Sequence, residues 1–545
     1  MNMTDYEETR KTFRLNVPDD FNFTHNVVDA WARKDPSKVA LVAVDPDGRR
    51  RREFTFADLS RAGNRVANAL ASLGVRPGDR ALVMLPKIPE WYEVLLGMFK
   101  HGAVPMPGTA LLTPRDIEYR INRAEATVVV TDAEGLEKVE EARKHCQTLE
   151  HMIVVDPEPH GGWISLSDLE ERASDREPDG RPTSKDDPLL IYFTSGTVAY
   201  PKMVLHTHAS YGAGHEITAR FWQDLTPQDL HWTVSDTGWA KAAWGKLFGQ
   251  WRLGTPVFLW DQRGKLDPEL ALRILADSGV TTFCAPPTLF RAFVLQDLSK
   301  FDLSHVRHSV SAGEPLNPEV IKVWKEATGT TIYDGYGQTE TVNVVANFPC
   351  LPVKPGSMGR PTPTFDVDVV DDDGERLADG EEGHIAIRVA EERPVGLMKE
   401  YWQDPEATED VFRNGWYYTG DRATRDEDGY LWFVGRADDV IISASYRIGP
   451  FEVESALVEH PAVAESAVVG KPDPDRTEIV KAYVVLAPGH ARSDELVREL
   501  QEHCKRTTAP YKYPREIEFV EELPKTISGK IRRVELRELA EKESP

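Results

Sequence analysis

The sequence predicts an α/β protein in which parallel-sheet α/β units and a small β-rich region precede a small α+β C-terminal unit. Three observations predict this fold. Short apolar runs alternate with helical patterns as far as Ser311, as expected for a parallel sheet covered on both faces. From Val367 the apolar runs are shorter and joined by hairpin-like turns such as Asp373–Gly374. After Arg436 about a hundred residues form a compact pattern of helices and strands, a usual size for a small domain.

The first third of the chain reads as alternating helices and strands after a polar arm at residues 1–25. Its clearest helix is Phe54–Val75, where Thr55 is a capping residue, Asp58 follows three residues later and Gly74 ends the helix. The other predicted elements are, in chain order, a helical start at Val27–Trp31, strand Ala81–Leu85, helix Trp91–His101, strand Ala103–Met106, a helix opening at Thr113–Pro114, and strands Thr127–Thr131 and Met152–Val155.

The rest of the chain is predicted to contain a surface loop, a second α/β unit, a β-rich region and a last α+β unit. Asp156–Asp187 is rich in Pro, Gly, Asp and Glu and is predicted to be surface loop with one short helix. The second α/β unit contains predicted strands Leu189–Phe193, Gly254–Leu259, Thr281–Cys284 and Val306–Ser311. The β-rich region contains Val367–Asp371 and His384–Val389 and ends near Val434. The last unit contains helix Pro450–Glu459, strands Val463–Val469 and Ala482–Leu486, and helix Asp494–Lys505.

Composition narrows the class of protein. The net charge of −24, from 65 basic and 89 acidic residues, argues against nucleic acid or an anionic membrane bound over a broad face. The four cysteines form no CxxC pair, so neither a zinc site nor a disulfide framework is indicated, and a cytoplasmic location fits. Met1–Arg14 lacks the apolar core of a signal peptide, and we find no apolar run long enough to span a membrane. The oligomeric state is not predicted.

The segment Tyr192–Lys202, with the sequence YFTSGTVAYPK, has the composition of an anion-binding loop. An apolar strand breaks into three hydroxyl residues and Gly196, which lets backbone N–H groups approach an anion closely. Lys202 adds a point charge. Composition alone favours a polar surface loop. The segment is not a Walker A loop, because Met203 stands where Ser or Thr would bind magnesium.

A second loop, Tyr333–Glu340, brings an aromatic ring, a hydroxyl and a carboxylate together in YDGYGQTE. An adenine ring can stack on Tyr336, and Glu340 is a natural ligand for magnesium shared with phosphates. Asp421 ends an aromatic strand and can accept hydrogen bonds from ribose hydroxyls, and Arg436 can reach ribose or phosphate. The turn Ser311–Pro315 is by itself a weak signal.

These motifs, in this order and with Pro524–Arg532 near the end, resemble those of the acyl-adenylate-forming superfamily. The medium-chain acyl-CoA synthetases are the most similar branch, on the residues Ser235–Trp239, Arg447–Glu454 and Thr508–Arg515. The chain departs from the family at Val198, Ala199 and Ser445: the family usually has Ser/Thr-Gly at the first two positions and glycine at the third.

The resemblance implies a two-step reaction with ATP, Mg²⁺, coenzyme A and a small carboxylic acid. Residues 1–435 would bind ATP and the acid, and residues 436–545 would rotate about Asp438 between the two steps. Lys530, Thr194 and Glu340 are the implied catalytic residues, with Glu340 also the metal ligand. The implied cofactor-binding residues are Thr194, Ser195, Gly196, Thr197, Lys202, Gly313, Glu314, Pro315, Asp334, Gly335, Tyr336, Gly337, Gln338, Thr339, Asp421, Arg436, Ser445, Tyr446, Arg447, Arg476, Lys505 and Lys530.

The acid is predicted to be medium-chain or aromatic. Acetate-using relatives have a tryptophan where this chain has Gly337, and its absence would leave room for a longer chain or a ring. Trp239, Trp244 and Leu247 are the candidate walls. Two alternatives stay open: an enzyme that passes the acyl group to a carrier protein or an amine, and an adenylate-binding homologue with weak turnover.

Overall fold

A computed structural model describes residues 1–156, 160–178, 183–194, 201–389, 393–444, 446–474, 476–526 and 530–542, and it confirms the predicted α/β fold. Its largest sheet has nine strands, with a parallel centre and antiparallel edges. The strands lie in this spatial order: Arg360–Pro361, Val345–Ala346, Ile332–Tyr336, His308–Ala312, Thr282–Ala285, His231–Thr233, Val257–Trp260, Val39–Val44 and Arg51–Thr55.

A second, wholly parallel sheet is built from the first third of the chain. Its five strands are, in spatial order, Val104–Pro107, Arg80–Met84, Val128–Asp132, His151–Val155 and Ile164–Ser165. The early strand Val39–Val44 does not join them and instead pairs in parallel with Val257–Trp260 in the largest sheet. Val39–Val44 therefore belongs to the largest sheet, although sequence order alone would assign it to the first α/β unit.

Three further sheets complete the fold. A three-stranded antiparallel sheet contains Glu400–Tyr401, Met203–Thr207 and Pro188–Phe193. The β-rich region is an antiparallel sheet of Val367–Val370, Glu382–Arg388, Phe412–Arg413, Trp416–Arg425 and Leu431–Arg436. The C-terminal sheet contains Tyr446–Ile448, Ile441–Ser443, Thr477–Leu486, Val463–Asp473 and Glu516–Phe519. It has a hydrophobic core of its own, which includes Ile441, Val453 and Leu500.

Helix boundaries follow the predicted capping signals. Thr55 and Asp58 form a reciprocal capping box at the start of Phe56–Ser72, and Thr113 and Asp116 form another before Pro114. The other α-helices are Tyr6–Thr12, Asp29–Lys34, Pro89–His101, Pro114–Ala124, Leu136–Ala142, Leu166–Arg172, His215–Ile217, Ala240–Gly245, Phe248–Arg252, Pro268–Asp277, Pro287–Val294, Pro318–Thr328, Pro405–Val411, Pro450–Val458, Asp494–Thr507 and Arg533–Lys542. Thr24–Val28, His208–Ala213 and Thr218–Trp222 are π-helical, and Ala133–Gly135, Arg143–His145 and Leu298–Lys300 are 3₁₀ turns.

The prediction of a polar arm at residues 1–25 is wrong. The segment contains the helix Tyr6–Thr12, and Met3, Tyr6, Phe21 and Phe23 are buried in the main hydrophobic core. The Tyr6 hydroxyl donates to the carbonyl of Pro361 over 2.7 Å. A few apolar residues are enough to hold this segment in place, because each packs into the main hydrophobic core. The charged residues between them make the segment look polar in the sequence. Within the described ranges, no helix has the length and apolar character needed to cross a membrane.

Candidate active site

Two of the phosphate-loop candidates, Thr194 and Lys202, adjoin the facing ends of the paired strands Pro188–Phe193 and Met203–Thr207. The backbone N–H of Thr194 donates to the carbonyl of Lys202 over 3.0 Å, which holds the two ends of the turn together. The residues between them lie outside the described part of the chain, namely Ser195, Gly196, Thr197, Val198, Ala199 and Tyr200.

Tyr401, which the sequence reasoning missed, connects this hairpin to Glu340. The Lys202 ammonium lies 4.5 Å from the centre of the Tyr401 ring, and the Tyr401 hydroxyl donates to Oε1 of Glu340 over 2.9 Å. Burial raises the pKa of the Glu340 carboxyl, while the Tyr401 hydrogen bond and the Arg436 charge oppose that rise. Tyr401 belongs to a two-residue strand paired with Met203–Thr207, a contact that only the tertiary structure creates.

The carbonyl of Thr339 is fixed by two buried side chains, His206 and Tyr211. His206 Nε2 lies 2.8 Å from this carbonyl oxygen, the Tyr211 hydroxyl donates to the same oxygen, and the two rings stack with centroids 3.4 Å apart. Burial lowers the pKa of His206 to about 3, so the imidazole is neutral. Because a carbonyl only accepts, Nε2 carries the proton and Nδ1 accepts from the Ser210 hydroxyl over 3.0 Å. Both residues were missed because a histidine within a buried strand and a tyrosine in the segment after it have no distinctive spacing.

Asp421 is the centre of a buried hydrogen-bond network. Its Oδ2 accepts from the Tyr336 hydroxyl over 2.6 Å and from Nε2 of Gln338 over 2.8 Å. Gln338 is oriented in turn by the Tyr417 hydroxyl, which donates to its Oε1 over 3.1 Å. Asp421 lies opposite Arg436 on the neighbouring strand. Burial raises the pKa of Asp421, and the Tyr336 hydrogen bond and the Arg436 charge oppose the rise.

The carboxyl ends of two parallel strands bring Gly313 and Asp334 to the same edge of the largest sheet. Gly313 has φ +107°, which disfavours any residue with a β-carbon, and Glu314 and Pro315 follow it. Asp334 accepts from the N–H of Gly335 over 3.0 Å, and burial raises its pKa to about 8. A β-carbon at Gly335 would lie 2.5 Å from the Trp222 ring, so this position also requires glycine.

The expectation of empty space beside Gly337 needs a correction. A β-carbon built on Gly337 would lie 2.5 Å from the Trp244 ring and 2.5 Å from the carbonyl oxygen of Val342. Trp244 is buried and also packs edge-on against Trp222 at 6.0 Å. The indole of Trp244 therefore takes up the space next to Gly337, and the missing side chain at 337 does not by itself enlarge the cleft. Trp239 is half-buried and immediately precedes the helix that carries Trp244.

Lys530 is exposed, and its charge acts on two groups, Lys241 and Asp421. Burial is the main cause that lowers the pKa of Lys241, and the Lys530 charge lowers it further. The Lys530 charge also opposes the burial-driven rise in the pKa of Asp421. Thr526 and Lys530 are joined by a 2.7 Å backbone hydrogen bond, and residues 527–529 between them lie outside the described residues.

The predicted coenzyme A residues form a separate group on the C-terminal part. The exposed ring of Tyr446 stacks on Tyr511 with centroids 4.2 Å apart, and Arg447 next to it is exposed. Lys505 forms an ion pair of 2.6 Å with Glu502, and Arg476 is half-buried. No hydrogen bond or ion pair between described residues links these candidates to the Glu340 or Asp421 networks. Ser445 lies outside the described residues.

The predicted hinge residue Asp438 is exposed and is held by the last helix. Arg537, in helix Arg533–Lys542, donates to the carbonyl of Asp438 over 3.1 Å and pairs with the carboxylate of Asp439. The residue that follows the hinge is therefore tied to the C-terminal part of the chain.

Two family models match the chain: the AMP-binding enzyme model over residues 28–402 and the AMP-binding enzyme C-terminal domain model over residues 452–530. The acyl-coenzyme A synthetase ACSM3, mitochondrial, of Mus musculus is 45% identical over 544 residues, covering 98% of this chain and 93% of that protein. The acyl-coenzyme A synthetase ACSM4, mitochondrial, of Rattus norvegicus is 45% identical over 530 residues, covering 96% and 91%.

Solved structures agree with these matches. The anthranilate CoA ligase AuaEII in complex with anthranoyl-AMP superposes with a TM-score of 0.87 at 33% identity, covering 98% of this chain and 99% of that chain. A benzoate CoA ligase from Burkholderia xenovorans LB400 superposes with a TM-score of 0.83 at 28% identity, covering 95% and 100%.

Proposed function

Because the chain belongs to the family of AMP-binding enzymes, with acyl-CoA synthetases similar over nearly its whole length, we propose that it is an ATP-dependent acid–thiol ligase. It joins a carboxylic acid to AMP with release of pyrophosphate and then transfers the acyl group to the thiol of coenzyme A. The observation that carries the proposal is that the Tyr401 and Tyr336 hydroxyls hold the carboxyls of Glu340 and Asp421, and that the Arg436 charge acts on both carboxyls. We propose a domain boundary between residues 435 and 436, and the ranges of the two family models, 28–402 and 452–530, are compatible with it.

In the first step, Thr194, Ser195, Gly196, Thr197 and Lys202 bind the phosphates. Backbone N–H groups of such a turn and a lysine charge suit a polyanion. In the same reaction step, Asp421 and Tyr336 bind the nucleoside. Oδ2 of Asp421 is already engaged by Tyr336 and Gln338, which leaves Oδ1 for the ribose hydroxyls, and Tyr336 offers its ring to adenine.

Glu340 is the proposed magnesium ligand. Oε1 accepts from Tyr401, and Oε2 has no hydrogen-bond partner among the described residues, so the carboxylate fits a hard cation that is shared with phosphates. When bound, magnesium would neutralise part of the phosphate charge. Two contacts orient this carboxylate. The Tyr401 hydroxyl donates to one of its oxygens, and His206 holds the carbonyl of Thr339, the residue before Glu340.

Lys530 is the proposed catalytic residue of adenylation. Attack of a carboxylate on the α-phosphate joins two anions, and a cation at the developing charge lowers the barrier. For the second step we propose that residues 436–545 rotate about Asp438 and bring Ser445, Tyr446 and Arg447 to the cleft, with Arg476 and Lys505 on the phosphates of coenzyme A.

The proposed acid is medium-chain or aromatic. Aromatic side chains line this part of the cleft, and the anthranilate and benzoate ligases among the solved structures act on flat acids. A carrier protein or an amine as acceptor is the alternative, and so is a homologue with weak turnover. Lys505 and Arg476 favour coenzyme A. Fatty acid metabolism and a cytoplasmic location remain proposals, since the relatives named above are mitochondrial.

The test is a panel of butyrate, octanoate and benzoate with ATP and magnesium, in which pyrophosphate release and loss of the coenzyme A thiol are followed separately. Acid-dependent pyrophosphate release together with thiol loss is the expected result, and the Lys530→Ala variant is the negative control. Pyrophosphate release without thiol loss would favour the carrier or amine alternative. No release with any acid would contradict the ligase and favour the homologue with weak turnover.

A further inference from the structure

His25, Asp29 and Glu177 bring one nitrogen and two oxygen atoms together outside the residues of the candidate active site. Nδ1 of His25 lies 3.1 Å from Oδ2 of Asp29 and 3.2 Å from Oε1 of Glu177. The three potential ligand atoms all lie within 4.8 Å of one another. Atoms bound to zinc at about 2.1 Å with tetrahedral angles lie about 3.4 Å apart, so the spacing suits a metal ion with these three residues as ligands.

The carboxylate of Asp29 is buried and held in a fixed orientation. Its Oδ1 accepts from the Ser60 hydroxyl over 2.6 Å and from the Lys100 ammonium over 2.8 Å. Its Oδ2 faces His25 and has no other donor among the described residues. Burial by itself would raise the pKa of Asp29, but the hydrogen bond from His25 and the Lys100 charge hold that pKa below its usual value, so the carboxylate is ionised. Metal-binding carboxylates are commonly fixed in this way by hydrogen bonds.

Glu177 reaches this pair from a segment that is attached to another helix. Asn64 and Asn68, in helix Phe56–Ser72, donate to the backbone carbonyls of residues 174–176 over 2.7–3.0 Å. The backbone just before Glu177 is therefore held in place. The side chain of Glu177 is 58% exposed, so water can reach the open side of the group and fill further coordination positions.

The charges of the group call for a cation between the two carboxylates. Lys100 neutralises Asp29 from the Oδ1 side, whereas Glu177 has no ion-pair partner other than His25 in the described part of the chain. A neutral imidazole has one proton to donate, and at Nδ1 two carboxylates would share it. Either a second proton on His25 or a metal ion resolves this excess of negative charge, and the two can be separated by experiment.

We propose that His25, Asp29 and Glu177 bind a divalent transition-metal ion of the zinc type, with water at the remaining positions. An imidazole nitrogen beside two carboxylates favours zinc, cobalt or nickel over magnesium, which prefers oxygen ligands. The ion would join the start of the chain to the segment after helix Leu166–Arg172 and stabilise the folded state. This site is separate from the proposed ligase function and does not depend on it.

The test is a titration of the full-length chain with zinc chloride, after removal of bound metal by a chelator and in excess magnesium, which fills sites that have oxygen ligands only. Calorimetry measures binding, and thermal unfolding measures stabilisation. We expect the wild type to bind zinc and its Tm to rise with the zinc concentration. Glu177→Gln and His25→Gln should each weaken zinc binding by at least about tenfold, because loss of a ligand costs no less than loss of a residue that hydrogen-bonds to a ligand.

The matched control is His384→Gln. His384 pairs with a single carboxylate among the described residues, Asp372 at 2.8 Å, so its loss should leave zinc binding as in the wild type. Absence of zinc binding in the wild type, or equal binding in the wild type and both site variants, would overturn the proposal and assign the group to a protonated His25. Equal weakening in His384→Gln would also overturn it, since zinc would then bind to scattered surface groups.

Discussion

The hydroxyl of Tyr401 donates a hydrogen bond of 2.9 Å to Oε1 of Glu340. The same tyrosine offers its ring to the Lys202 ammonium, 4.5 Å from the ring centre. One residue outside every predicted motif therefore links the phosphate-loop lysine to the proposed metal ligand, and its two contacts can be separated by mutation.

Tyr401→Phe should keep the contact with Lys202 and remove the hydrogen bond to Glu340. Burial raises the pKa of Glu340 and the Tyr401 hydroxyl lowers it, so the pKa rises further in the variant. The acidic limb of the pH–rate profile should then move to higher pH, and the KM for magnesium–ATP should rise by about tenfold, as for a lost hydrogen bond to a charged group. Tyr92→Phe is the control, because the buried Tyr92 hydroxyl has no hydrogen-bond partner among the described residues. Equal effects of the two variants would contradict the role of Tyr401.

Lys530→Ala should abolish adenylate formation and leave thioester formation from a supplied acyl-AMP largely intact. The reason is that Lys530 is proposed to stabilise only the first transition state. Pyrophosphate release and acyl-CoA formation, measured separately on the folded variant, check the prediction. A parallel loss of both half-reactions would show that the lysine serves both steps.

Gly337→Ala should destabilise the protein by about 1–3 kcal/mol, the usual range for overpacking, and impair turnover of every acid. The added methyl group would meet the Trp244 ring and the Val342 carbonyl, each 2.5 Å from its position, and the carbonyl belongs to the backbone and cannot rotate away. Thermal unfolding and kcat/KM are the measurements. Gly161→Ala, where a β-carbon meets nothing within 4 Å, is the control. Wild-type stability and turnover of Gly337→Ala would contradict the tight packing of Trp244 and Val342 around this position.

Asp334→Asn should make stability less dependent on pH. The folded state holds the Asp334 proton up to a pKa of about 8, well above the value of an unfolded aspartic acid, so folding binds a proton between these values. Wild-type stability should therefore fall as pH rises through this window, by at most about 1.4 kcal/mol per pH unit from this group. The variant should lack that slope in denaturant titrations at several pH values. The exposed Asp47→Asn is the control, and an unchanged slope in Asp334→Asn would contradict the assignment.

Ser445→Gly should speed the thioester step without changing adenylation. The resemblance implies that the pantetheine arm approaches the backbone at this position, where a hydroxymethyl group narrows the path. Acyl-CoA appearance should accelerate while pyrophosphate release stays the same. A change in pyrophosphate release alone would assign Ser445 to the other half of the cycle.

The sequence predicted what local chemistry determines. The capping box of Thr55 and Asp58 fixed a helix start, and the apolar run that ends at Phe193 is a strand. Contacts between distant segments could not be predicted. The link of Tyr401 to Glu340, and of His206 to Thr339, depends on strand pairings that no spacing in the sequence encodes.

The packing of side chains around Gly337 also could not be predicted from the sequence. Gly337 indicated that the indole of acetate-using relatives is missing here. Whether its absence creates a cavity depends on whether a neighbouring side chain occupies the space. The indole of Trp244, in helix Ala240–Gly245, occupies this space.

The pairing of Val39–Val44 with Val257–Trp260 has a consequence for how the chain acquires its structure. During synthesis the early strand leaves the ribosome first, and residues 45–256 must follow before its parallel partner exists. Until then only Arg51–Thr55 covers one of its edges. Contacts of such high sequence separation slow folding, and an uncovered apolar strand favours aggregation. We therefore expect refolding to be slow and sensitive to protein concentration, with the five-stranded parallel sheet forming before the largest sheet closes.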